Sequence, residues 1–143
     1  MTGAAAPQPD PESEPFWRGL VDHRLILQEC PACRRRRFPP MPACPYCGSD
    51  GGREVEVTGA GEVYSWVRVE RALTPAMADD APYCVATVDL DGGGRLQARL
   101  EPPGAASIGL AVHPLYVDHG TWTELRFAPV AGGTNEVRVG EVR

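Results

Sequence analysis

No lysine occurs anywhere in this chain of 143 residues; all 14 basic side chains are arginine. That absence removes a Schiff-base lysine, a Walker-type phosphate-binding lysine and a Ser–Lys nucleophile pair at once. Neither a G-x-S-x-G nor an H-E-x-x-H stretch is present, so a nucleophile elbow and a helical zinc-protease site are excluded as well. The 19 acidic residues outnumber the arginines, giving a formal charge of −5 and a pI of about 5.2. Such a balance argues against a broad basic surface for nucleic acid. Residues 1–11 contain no apolar run, so they read as neither signal peptide nor membrane span. Their low apolar content and several prolines make them a disordered lead. The expected setting is cytoplasmic, where thiols stay reduced.

Against that background the cysteines stand out. Cys30-Pro-Ala-Cys33 and Cys44-Pro-Tyr-Cys47 are two C-x2-C pairs separated by ten residues. Each pair forms a tight knuckle that aims two thiolates at one ion, and two knuckles complete a tetrahedral sulfur shell for structural Zn2+. A closed shell of this kind leaves no position for water or substrate, so the ion folds the segment rather than doing chemistry. Two disulfides and an iron–sulfur cluster are the alternatives, the first needing an oxidising compartment. Pro31 and Pro45 stiffen the turns. Gly48 follows Cys47 where a knuckle needs positive φ, whereas Arg34 takes that place in the first knuckle and implies local strain.

The length suits one ordinary domain plus a small module. Residues 12–29 read as a short helix over Ser13–Asp22, N-capped by Ser13, followed by a strand over Arg24–Glu29. Phe16 with Leu20 and Trp17 with Val21 are i,i+4 pairs. So short a helix must bury its aromatics against its own body or against a partner. Residues 30–52 form the zinc ribbon. Its arm carries Arg34, Arg35, Arg36 and Arg37 in a row, able to grip phosphate or simply solvated. From residue 53 to 130 the pattern is all-β: strands at Glu62–Val69, Tyr83–Leu90, Arg95–Leu100, Leu110–Asp118 and Thr121–Phe127, with a Gly59-Ala60-Gly61 bend. Alternation places Tyr64, Trp66 and Arg68 on one face and Val63, Ser65, Val67 and Val69 on the other. Pro114 inside a strand marks an edge or bulge. Five strands, an early glycine bend and no strong helix predict a small OB-type barrel. Residues 131–143 are a tail, in which Val137, Val139 and Val142 can add a short strand. The expected fold is therefore mainly β: an N-terminal helix, a rubredoxin-like zinc ribbon and a five-stranded OB-fold barrel.

This order resembles the zinc-ribbon/OB-fold family found beside acyl-CoA enzymes. The likeness is carried by Phe16-Trp17, Cys30-x2-Cys33 with Phe38-Pro39-Pro40, Cys44-Pro45-x-Cys47-Gly48-Ser49, Gly61-Glu62-Val63-Tyr64-Ser65-Trp66, Pro82-Tyr83-x-Val85-Ala86, Ile108-Gly109-x-x-Val112 and Phe127-x-Pro129. Arg34 departs from the family's usual glycine. The resemblance implies an accessory subunit of a thiolase-fold enzyme (thiolase, ketosynthase or lipid-transfer-type aldolase) or of a hydratase. Such a partner carries the catalytic residues and acts on acyl-CoA thioesters, in a hetero-oligomer away from membranes, and the small subunit helps form or cover the acyl-CoA site.

Three functional readings follow. In the accessory reading, the docking residues are Phe16, Trp17, Leu20, Tyr64 and Trp66, since interfaces favour aromatic anchors; burial of Tyr64 and Trp66 in the barrel is the competing view. Arg35, Arg36 and Arg37 then meet the phosphates of CoA. A second reading is an OB-fold single-strand nucleic-acid binder, against which the acidic balance counts. A third is an independent acyl-CoA enzyme built on His23, His113, His119 or Cys84. Yet His119 precedes a turn and reads as solvated, and Cys84 lies in a strand as a small core residue.

Overall fold

Asp10 begins the first helix. In the computed structural model, which describes residues 5–131, the Ser13 N–H donates to Asp10 Oδ1 at 2.7 Å and the Asp10 N–H donates to Ser13 Oγ at 3.1 Å. This reciprocal pair holds the Asp10 carboxyl below its usual range, chiefly through Ser13. Ser13 makes no side-chain bond to the helix that follows, so the expected Ser13 cap is corrected to an Asp10–Ser13 box one turn earlier. Helix α1 spans Glu14–Val21. It ends where His23 takes a left-handed φ of 54° and donates its N–H to the Leu20 carbonyl.

α1 packs on its own chain. Phe16 and Leu20 are 6% and 0% exposed. The ring of Phe16 meets Phe38 at 4.9 Å and Trp17 at 5.1 Å between centroids. A β-carbon on Gly19 would stand 2.6 Å from Ile26 Cγ1, which is why glycine sits at this crossing. The docking role expected of Phe16 and Leu20 is therefore corrected: both are core residues, and an apolar pair already enclosed offers no surface to a second chain.

Strand β1 (Leu25–Glu29) is the centre of a three-stranded sheet, flanked by β2 (Arg36–Arg37) and β3 (Arg53–Val57). Both neighbours are antiparallel, with Leu27 opposite Val55 and Gln28 opposite Arg37. Residues 53–57 thus extend the sheet beneath the ribbon instead of entering the barrel.

The barrel closes from five strands: β4 (Gly61–Val69), β5 (Tyr83–Leu90), β6 (Arg95–Leu100), β7 (Ala111–Asp118) and β8 (Thr123–Pro129). Their spatial order is β4-β5-β6-β8-β7. Only β6 and β8 run parallel, and β4 meets β7 through two pairs alone, Gly61 with Val112 and Glu62 with Ala111. This closed five-stranded barrel is the OB arrangement expected from the strand pattern. Pro114 lies on the part of β7 paired with β8 but not β4, an edge that needs no N–H.

One expectation about β4 fails. A register shift between Val63 and Ser65 leaves Tyr64 as the extra residue of a bulge. Trp66 and Arg68 then stand opposite the buried Ala86 and Cys84 and share their face. Val67 stands opposite Val85 on the outer side and is 60% exposed. The predicted common face of Tyr64, Trp66 and Arg68 is split because the bulge reverses the alternation.

A single hydrophobic cluster runs from Phe16, Leu20, Leu25 and Leu27 into Val63, Val88, Leu100, Val112 and Phe127, so helix, ribbon sheet and barrel share one core. Among the described residues no helix is long and apolar enough to cross a membrane. The predicted tail, apart from Ala131, lies outside the described residues.

Candidate metal centre and the surfaces around it

β1 delivers Cys30 to the first knuckle. There the Arg34 N–H donates to the Cys30 carbonyl at 3.0 Å, and the Cys30 N–H returns to the Arg35 carbonyl at 2.9 Å. The second knuckle repeats the plan: Gly48 N–H to the Cys44 carbonyl at 2.9 Å and Cys44 N–H to the Ser49 carbonyl at 2.8 Å. Both turns need a left-handed residue after the second cysteine, with φ of 65° at Arg34 and 77° at Gly48. Glycine adopts this freely, and arginine costs about 1 kcal/mol. The strain expected at Arg34 is present, and the knuckle closes nonetheless.

The four sulfurs converge. Cys30 Sγ lies 3.6 Å from Cys47 Sγ, and Cys33 Sγ lies 3.7 Å from Cys44 Sγ. All four ligand atoms fall within 4.8 Å of one another. A Zn–S bond of about 2.3 Å gives tetrahedral S···S edges of about 3.8 Å, so the donor set fits Zn2+. A disulfide needs about 2.05 Å, and all four thiols are free. Backbone donors prepare the site for thiolate. The Cys33 N–H is the main group holding Cys30 down to about 6. For Cys44, burial pushes upward but the N–H groups of Cys47 and Tyr46 win and lower it. At Cys33 the Arg35 N–H lowers the thiol, yet burial and the neighbouring sulfurs outweigh it and push it up to about 11. A dication compensates the charge that keeps that last proton in place.

Behind the sulfurs the arm is held by polar bonds. Arg37 is 2% exposed. Its Nε donates to Gln28 Oε1 at 2.5 Å, and its Nη2 donates to the carbonyls of Met41 at 3.1 Å and Gly51 at 2.6 Å. The phosphate role expected of Arg37 is corrected: the side chain is a buried strut between β1 and the second knuckle. Glu29, nearly buried, takes the Arg53 guanidinium, whose hydrogen bond is the main reason its carboxyl lies below the usual range. Arg36 sits 3.7 Å from Glu29 in ion-pair contact, and Arg35 is exposed with its guanidinium 4.8 Å over the Tyr46 ring.

The residues considered for independent catalysis do not come together. His23 Nε2 meets Asp118 Oδ1 at 2.9 Å, and its ring stacks on Tyr116 at 5.0 Å. His113 is exposed, with Nδ1 3.1 Å from the Pro114 carbonyl. His119 is partly buried rather than solvated: Nε2 lies 2.9 Å from Glu124 Oε2 and the ring stacks on Trp122 at 4.4 Å. Cys84 is 1% exposed, and burial pushes its thiol up. Among the described residues no hydrogen bond joins any two of these four side chains.

Sequence reasoning missed the ionic lattice around Glu124. Burial raises this carboxyl, but Arg126, His119 and Arg99 outweigh burial and hold it below its ordinary value. The strand alternation gave no hint that β6 and β8 would bring these charges together. The barrel's arginines are matched in the same way: Arg99 with Asp80 at 2.9 Å, Arg126 with Glu101 at 2.9 Å and Arg95 with Asp89. Tyr64 is 52% and Trp66 41% exposed, so neither is sealed in the barrel core. Trp17 is partly buried, with its ring 6.4 Å from Trp122.

Fold and site together define a structural zinc ribbon fused to an OB barrel. Residues 17–51 match the model of the ChsH2 rubredoxin-like zinc ribbon domain, and residues 54–117 match that of the ChsH2 C-terminal OB-fold domain. A DUF35 domain-containing scaffold protein of Methanothermobacter thermautotrophicus is 30% identical over 104 residues, covering 70% of this chain and 77% of that protein. The chain belongs to the ChsH2/DUF35 family. A probable enoyl-CoA hydratase alpha subunit of Thermomonospora curvata is 40% identical over 100 residues, 68% of this chain; the chain spans only 31% of that relative's length. Among solved structures, the Ltp2-ChsH2(DUF35) aldolase contains a chain that superposes with a TM-score of 0.76 at 33% identity, over 87% of this chain and 98% of that one. A DUF35 protein from Sulfolobus solfataricus, 21% identical, shares the fold with a TM-score of 0.62 over 84% of this chain and 86% of that one.

Proposed function

We infer that this chain is a non-catalytic accessory subunit of an enzyme acting on acyl-CoA thioesters, its partner being a thiolase-fold enzyme or a hydratase. The observation that carries the reading is the match to a chain of the Ltp2-ChsH2(DUF35) aldolase, which extends over 98% of that chain at 33% identity. The interior supports it from the opposite direction. Four of the five cysteines belong to the metal shell, the fifth is sealed in the barrel, and the three histidines point to separate carboxylate or backbone partners. A chain with this inventory contributes shape and surface, and the partner contributes the reacting groups. Trp66, Tyr64 and Val67 on β4 are among the exposed apolar residues available for docking, while Trp17 adds a partly buried edge. A reducing, cytoplasmic setting suits a shell of free thiols.

The test is co-purification of the tagged chain from its source organism, followed by reconstitution. Acyl-CoA turnover is measured for each component alone and together. The reading requires a stoichiometric thiolase-fold or hydratase subunit and turnover that depends on it. A chain that stays without such a partner, or that turns over acyl-CoA alone and stops doing so in Cys84→Ala or His113→Ala, overturns it.

A further inference from the structure

The fold brings two distant parts of the sequence against one cleft. Its first wall is the ribbon, with Arg36, Arg37 and Phe38 of the arm and Tyr46 of the second knuckle; its second is the β5–β6 turn, with Gly93, Gly94 and Arg95. The cleft has a volume of about 400 Å³, within the usual range of small-ligand sites. Three arginines line it against one acidic residue, Asp89, in a chain whose formal charge is −5.

All three of these arginines keep donors without a hydrogen-bond partner among the described residues. Arg37 Nη1 is buried without a hydrogen-bond partner among the described residues, a condition that costs about 1–3 kcal/mol when nothing relieves it. Arg36 is enclosed to 26% side-chain exposure, and its nearest carboxylate, Glu29, stands 3.7 Å away with Arg53 already bound to it. Among the described residues its guanidinium donates no hydrogen bond. Arg95 gives Nε and Nη2 to Asp89 and keeps Nη1 free of hydrogen-bonded partners among those residues. Tyr46 at the rim lies under Arg35, and Phe38 supplies an apolar wall.

We propose that this ribbon–barrel cleft is a phosphoryl-anion site, with Arg36 and Arg95 donating to the ligand oxygens and Arg37 fixing the arm that presents Arg36. One carboxylate is satisfied by a single guanidinium fork; a doubly charged phosphate with three or more oxygens matches donors arriving from two walls. The same chemistry belongs to free phosphate or pyrophosphate and to the nucleotide end of CoA. Of the arginines first connected with CoA phosphates, Arg36 alone enters the cleft as a ligand, and Arg95 joins it. The site stands on this geometry and does not need the accessory reading, which survives its failure.

The experiment titrates the zinc-loaded, isotope-labelled chain at low ionic strength with pyrophosphate, ADP, CoA and, as a control, acetate, following amide shifts by NMR. Shifts at Arg36, Gly93, Gly94 and Tyr46, weakened roughly ten- to hundred-fold in Arg36→Gln or Arg95→Gln, support the site. Zinc content and thermal midpoint of the variants should stay at the parent values. CoA or ADP binding more tightly than pyrophosphate identifies the nucleotide as the source; pyrophosphate binding as tightly identifies the free anion. Shifts confined to other residues, equal response to acetate, undiminished binding by both variants, or no response to any phosphate overturn the proposal.

Discussion

Replacing Phe16 by alanine tests whether α1 belongs to this chain's core or to a partner's surface. Phe16 is 6% exposed and its ring is held between Phe38 and Trp17, with centroids 4.9 and 5.1 Å away. Truncating an enclosed phenylalanine costs about 3–5 kcal/mol, because the transfer energy is lost and the cavity collapses only in part. For a domain of this size each kcal/mol lowers the melting midpoint by about 3 °C, so the variant should melt roughly 10 °C below the parent. Val21→Ala, on the 54% exposed side of the same helix, should stay within about 0.5 kcal/mol. The assay is chemical and thermal unfolding of the isolated zinc-loaded chain, followed by both near- and far-ultraviolet circular dichroism. The shared core joins α1 to the barrel, so both probes should report one transition. A Phe16→Ala variant as stable as Val21→Ala would refute the reasoning and return the helix to a docking role.

Other perturbations address the remaining parts. Cys44→Ala should lose zinc and unfold the ribbon, since structural zinc supplies about 10–16 kcal/mol of apparent binding energy in small ribbons; a folded, metal-free variant would refute this. Chelating the metal should speed hydrogen exchange at Gly92 and Gly93, which the arm contacts through Arg36, ahead of exchange in β7 and β8; equal acceleration throughout would mean global unfolding instead. Glu124 has a folded pKa held below the ordinary 4.5, so its stabilisation is present above that value and is lost as pH falls through the lower folded one. Glu124→Gln should therefore be less stable than the parent at neutral pH, with the gap closing in acid unfolding measurements below pH 4.5; a constant gap would refute the linkage. Trp66→Ala should leave the isolated chain's stability within about 1 kcal/mol while weakening complex formation, measured by calorimetry against the co-purified subunit.

The ribbon was legible because its chemistry is local. Paired cysteines at fixed spacing dictate knuckles, and the left-handed position after each pair is visible as Gly48 and, against preference, Arg34. The barrel strands were legible from β-branched and aromatic runs bounded by Gly and Pro. What escaped depends on contacts between distant residues. No pattern distinguishes Arg37 from Arg35 in a run of four, yet pairing with Gln28 buries one and leaves the other over Tyr46. The bulge at Tyr64 arises from closing the β4–β5 ladder, and it moves Trp66 to the face of Ala86 without a change in composition. The Asp10 cap was hidden because its helix-starting bonds lie in a proline-rich stretch read as a lead.

These long-range contacts explain why a metal shell with no open position can matter to surfaces well away from it. β1 is shared: its outer end delivers Cys30 to the ion, and Leu25 and Leu27 lie in the same core as Val63 and Phe127. The arm that leaves the first knuckle lays Arg36 against the Gly92–Gly93 turn, and β1 sets Leu27 against Gly94, so the β5–β6 hairpin rests on the ribbon block. His23 reaches Asp118 from the end of α1 and ties the same block to β7. A ribbon joined to a barrel through a flexible linker could only tether the two. Here the zinc energy fixes the arm, the arm walls the cleft beside Arg95, and the barrel presents β4 in a fixed relation to both. That coupling is what a scaffold needs if one side of it is to hold a partner while another stays open to an anion.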